Sequence, residues 1–98
     1  MNKEELIEAY KQFIGNQLDD AGAHYDYGVN FAKLGMYKEA IEAFKEAIRI
    51  RPDYATAHYN IGIVYLELGD RNDALREHSI LKNLDPQKAN ELFDLIYK

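Results

Sequence analysis

The hexapeptide Ala-His-Tyr-Asp-Tyr-Gly at 23–28 returns as Ala-His-Tyr-Asn-Ile-Gly at 57–62, 34 residues further on. Sliding the chain on itself by that step superposes more than the hexapeptide. Phe31 falls on Tyr65, Gly35 on Gly69, Ala40 on Ala74 and Pro52 on Pro86. A fixed period of this length marks a repeat architecture, in which each unit is one supersecondary element that cannot bury its apolar face alone.

Within a unit the apolar period is helical. Tyr27, Phe31 and Leu34 lie at i, i+4 and i+7, and Ala40, Ile41, Phe44, Ala47 and Ile48 share one stripe. Each unit therefore predicts two helices. Gly35 and Gly69 fall between them, where the residue after a helix takes positive φ. Asp70 is expected to cap the next helix; Met36, its counterpart, caps poorly. Pro52 and Pro86 close the units, since proline cannot continue a helix, and Asp53 is expected to cap the helix that follows. Gly28 and Gly62 stand in mid-helix, where glycine costs about 1 kcal/mol relative to alanine. This spacing implies another backbone passing close by, with Ala40 and Ala74 as the matching small surface.

The residues Gly28, Phe31, Gly35, Ala40, Phe44, Ala47 and Pro52, then Ile61, Gly62, Tyr65, Gly69, Ala74 and Pro86, resemble the tetratricopeptide repeat. The resemblance implies an all-α fold, a right-handed superhelical solenoid of antiparallel helix pairs. Residues 1–20 align with a repeat's second helix, Leu6 on Ala40, Tyr10 on Phe44, and Leu18-Asp19 on Pro52-Asp53. Residues 21–54 and 55–88 are the two repeats, and 87–98 align with a first helix as a C-terminal cap. The chain thus reads as six helices in the order B–AB–AB–A, a single domain. Departures are local. His24 and His58 occupy the tryptophan position, His78 replaces an aromatic residue, and Leu81 replaces a small one, so the second unit must pack differently.

Charge and composition narrow the function. The net charge of −5 disfavours polyanions, which need a basic face to displace counterions; no nucleic-acid binding is expected. No apolar run approaches the ~20 residues of a membrane span, and the N-terminus has no signal-peptide core. With no cysteine, a cytoplasmic chain is expected. Catalytic motifs are missing, and His24 and His58, on adjacent first helices roughly 10 Å apart, are too distant to share one zinc. The expectation is a protein that is not an enzyme and has no metal and no cofactor.

The resemblance also implies a concave groove lined by first helices, holding an extended peptide or a partner's helix. Its lining positions here are Tyr25, Asp26, Val29 and Lys33; Thr56, Tyr59, Asn60, Ile63 and Glu67; and Phe93 and Tyr97. One family subclass clamps the C-terminal carboxylate of chaperones with lysine, arginine and asparagine. Only Asn60 matches that pattern, while Tyr25, Asn90 and Asp94 hold the basic positions, so no such clamp is expected. The groove is aromatic, aliphatic and mildly acidic, which suits an apolar protein or peptide partner with basic residues. The alternative is a self-assembling scaffold. Leu92, Phe93, Ile96 and Tyr97 make the last helix apolar over a wide face, a candidate homodimer surface.

Overall fold

The computed structural model describes residues 1–16 and 19–98. Among these residues there are six helices: α1 (Lys3–Gly15), α2 (Ala21–Lys33), α3 (Tyr37–Ile50), α4 (Ala55–Glu67), α5 (Arg71–Leu84) and α6 (Pro86–Ile96). They follow the order read from the repeat. The expected correspondence of Leu18 with Pro52 lies outside the described residues.

Turns inside the two repeats are built alike. Gly35 and Gly69 have φ of 74° and 77°, a region where a Cβ is strained. The amide after each glycine bonds back to the carbonyl at the start of the last helical turn: Met36 N to Phe31 O, and Asp70 N to Tyr65 O. The orphan carbonyls of α2 and α4 are thereby satisfied. Asp70 caps α5 by accepting from Asp73 N at 3.1 Å, and Met36 gives α3 no such bond.

Helix starts elsewhere depart from expectation. Asp53 does not cap α4. Tyr54 N bonds Arg51 O, a turn that moves the N-cap one residue on to Tyr54. Pro86 does not close a unit but opens the next helix, as N1 of α6, behind an Asp85 side chain that accepts from Lys88 N. Its missing N–H is one the first turn leaves unpaired anyway. Asn2 and Glu5 form a reciprocal capping box on α1.

The core runs along the solenoid axis. Phe31, Phe44, Ile61, Leu81 and Leu92 are its largest fully buried side chains, each contributing about 2–3 kcal/mol by leaving water. Small residues Ala40, Ala43, Ala47 and Ala74 are fully buried between them. α2 packs on α3 and α4 on α5, while α4 adjoins α2 on one side and α6 on the other in the first-helix layer. α1 stands further off, because Phe13 occupies the place held by Ala47 in the next second helix. Its ring fills the gap edge-on to His24, 4.8 Å between centroids.

The two mid-helix glycines do make room, though for side chains and not for a backbone. A Cβ on Gly28 would lie 2.6 Å from the Phe44 ring, and one on Gly62 would lie 2.8 Å from Leu92 Cδ2. Phe44 belongs to the same repeat as Gly28. Leu92 comes from α6, because His78 stands where a second phenylalanine would be.

Candidate interaction groove

Each groove residue is set by the phase of a first helix. On α2, His24, Gly28 and Phe31 turn inward, which leaves Val29 and Lys33 on the neighbouring face. On α4, His58, Ile61, Gly62 and Tyr65 turn inward, leaving Asn60, Ile63 and Glu67 on the matching face. Between these two faces lies an open slot of about 330 Å³. Five predicted residues, Val29, Lys33, Asn60, Ile63 and Glu67, line it. Ala32, Tyr37, Phe44 and Val64 line it as well, and the sequence reading did not include them. Tyr37 was missed because it is the first residue of a second helix. The signal was its place beside the Gly35 turn, which folds α3 back alongside the end of α2.

Tyr25 is half-buried, and its role is to join the repeats. Its ring packs 5.7 Å from Phe44 and 5.2 Å from Tyr54, and its hydroxyl accepts from Asn60 Nδ2 at 2.7 Å. Asn60 is therefore held in one rotamer at the mouth of the slot. Tyr59 is half-buried beneath the Lys88 ammonium, 5.3 Å from the ring centroid, and burial raises its phenol pKa. Asp26 is exposed and Thr56 half-buried.

The last helix corrects the expectation of one wide apolar face. Leu92 is fully buried and Ile96 is 7% exposed; both are core, and neither is open to a second copy. They sit at the register of His58 and Gly62, positions that face inward throughout. Phe93 and Tyr97 are the exposed pair, at 45% and 52%. Their rings meet at a tilt, 4.7 Å between centroids, Phe93 lies 5.5 Å from His78, and the Arg71 guanidinium covers Tyr97. They form an aromatic cluster at the C-terminal end, apart from the α2–α4 slot.

The buried histidines behave as core groups with defined partners. His24 Nδ1 lies 2.8 Å from the Tyr10 hydroxyl. Burial, then Glu46 and Glu42, push that phenol up to about 12, so the hydroxyl stays protonated and the contact joins two neutral-capable groups without a carboxylate. His58 is different. Its Nδ1 is 2.7 Å from Glu77 Oε1 and its Nε2 is 2.8 Å from the Pro52 carbonyl. A neutral imidazole has one N–H, and two acceptors ask for two. Burial pulls the pKa down, but the bonds to Glu77 and Pro52 and the Glu77 charge together raise it above the ordinary histidine value. This pair was invisible to local spacing. Its one signal is that Glu77 occupies the register of Ala43, a fully buried position.

A family model described as "TPR repeat" matches residues 28–69. The crystal structure of MamA protein superimposes with a TM-score of 0.83 at 28% identity, over 93% of this chain and 51% of that one. The present chain thus spans about half the length of that relative. No curated protein matches it. The fold and the repeat are those of a tetratricopeptide-repeat domain, and such repeats make protein–protein interaction modules. No helix among the described residues is long and apolar enough to cross a membrane.

Proposed function

We propose that this domain binds a peptide segment or helix of a partner protein in its first-helix groove, anchored in the slot between α2 and α4. The observation that carries this reading is the slot itself. Its walls are apolar at Val29 and Ile63, its mouth is fixed by the Asn60–Tyr25 hydrogen bond, and it stands open. An apolar side chain entering it gains burial worth about 1.5–3 kcal/mol. Asp26, Glu67 and Asp94 on the first helices favour a partner that is apolar with basic residues. The reading involves no catalysis, cofactor, nucleic acid, membrane or chaperone-tail clamp.

The test is recovery of partners by the immobilised chain. The double variant Val29→Lys, Ile63→Lys is expected to lose partners that the wild type retains, with helicity unchanged by circular dichroism. Equal recovery by both overturns the reading.

The exposed Phe93–Tyr97 pair supports a second reading, self-association through α6 as a homodimer. Light scattering over a dilution series tests it. A mass of twice the 11.4 kDa chain that becomes monomeric in Phe93→Glu, Tyr97→Glu supports it, and a monomer at every concentration removes it.

A further inference from the structure

The slot carries charge as well as apolar surface, and the charge is asymmetric. Lys33 and Glu67 occupy the same repeat register, in the last turns of α2 and α4, and both line the slot. Both are exposed. Among the described residues neither forms an ion pair, whereas Arg49, Arg51 and Arg76 each pair with a carboxylate. The slot holds the two charges on opposite walls, with Val29 and Ile63 one helical turn before them on the same two helices. The Asp26–Asn60 row, two turns before it on the same helices, is not free in this way, since Asn60 is committed to the Tyr25 hydroxyl.

We infer that the partner segment held in this slot is amphoteric: an acidic side chain over α2 facing Lys33, a basic one over α4 facing Glu67, and an apolar residue between them. The inference rests on the groove reading above and names the chemistry that the slot selects. Adjacent helix axes lie about 8–10 Å apart, which an extended chain covers in about three residues at ~3.3 Å each. The acidic and basic residues of the partner are therefore about three apart, with one residue of tolerance from the flexible lysine stem. A segment with basic residues alone would satisfy Glu67 and place a like charge on Lys33.

Three capped hexapeptides make the test. All share a central pair of leucines, flanked by glutamate and lysine, by two lysines, or by two glutamates. Each is titrated into the chain while the Val29 and Ile63 methyl resonances are followed. The mixed peptide is expected to bind about fivefold tighter than either of the others, the gain of a rim ion pair, and the preference should shrink with added salt. Lys33→Glu should move the preference to the double-lysine peptide, and Glu67→Lys to the double-glutamate peptide. Equal affinities for all three, with the methyls shifting each time, overturn the charge inference and leave the groove reading standing. Methyls that move for none of the three overturn the groove reading as well.

Discussion

The two repeats share a frame and differ in how they fill it. In the first, Gly28 is covered by Phe44 from the same repeat, and His24 bonds to a neutral tyrosine. In the second, His78 replaces that phenylalanine, Gly62 is covered by Leu92 from α6, and His58 is held between a carboxylate and a carbonyl. The first repeat therefore covers its mid-helix glycine with its own ring, while α1 supplies the partner of its histidine. The second borrows a side chain from the helix after it and holds its second helix through the His58–Glu77 hydrogen bond. An identical backbone frame tolerates two packing solutions because what it requires at Gly28 and Gly62 is filled volume, and not a particular donor of that volume.

The comparison can be broken from either side. The largest effect is expected for Phe44→Ala, about 4 kcal/mol, as for a large buried aromatic ring. Denaturant unfolding measures it; a loss near 1 kcal/mol would mean the first repeat does not depend on its own ring. Leu92→Ala should cost about 3 kcal/mol, although it lies in the capping helix. Amide exchange should then rise across α4 and not across α2. Equal acceleration in both helices would contradict the borrowed-core account.

Glu77→Ala removes the side-chain hydrogen-bond partner of His58 and should cost about 2 kcal/mol by leaving a buried ring nitrogen unsatisfied. The same pair sets a pH dependence. His58 has its folded pKa raised, so the pair's contribution is fully present below the ordinary histidine value. It is lost as pH rises through the folded value. Thermal midpoints from about pH 6 to about pH 9 should fall for the wild type, and more shallowly for Glu77→Gln. A wild-type slope no steeper than the variant's would rule out the imidazolium.

The smallest effect sharpens the comparison at the glycines. Gly28→Ala drives a methyl into a ring with no freedom to move, costing about 2 kcal/mol by overpacking. Gly62→Ala meets the tip of a leucine, which can turn, and alanine's helix preference of about 1 kcal/mol offsets the shift. Its net change should be within about 0.5 kcal/mol, read from the same unfolding curves. Equal losses at both sites would mean that the covering side chain is irrelevant.

The helix order was legible from the 34-residue period, and both positive-φ turns and the Asp70 cap because each depends on residues within one turn of helix. The wall residues Val29, Lys33, Ile63 and Glu67 were named only through the resemblance to the tetratricopeptide repeat, which supplies the groove that register alone does not. What escaped was long-range. Nothing near Gly62 indicates that Leu92, 30 residues on, fills its space, and nothing near His58 points to Glu77. For α6 the register held the answer, since Leu92 aligns with His58 and Ile96 with Gly62. Reading the helix by its total apolar content hid the fact that Ala89, Leu92 and Ile96, at i, i+3 and i+7, form the only buried stripe of that helix. The slot's charge pattern was present as Lys33 and Glu67, yet its meaning depends on neither being paired, which only the packing shows.

The central claim is that α2 and α4 together form the partner-binding surface. Amide hydrogen exchange, measured on the chain alone and on the chain with a partner it recovers, tests this directly. The account predicts slowed exchange concentrated in α2, α4 and the Gly35 turn beside Tyr37. Protection confined to α6, or to the outer helices α3 and α5 with α2 and α4 unchanged, would contradict it.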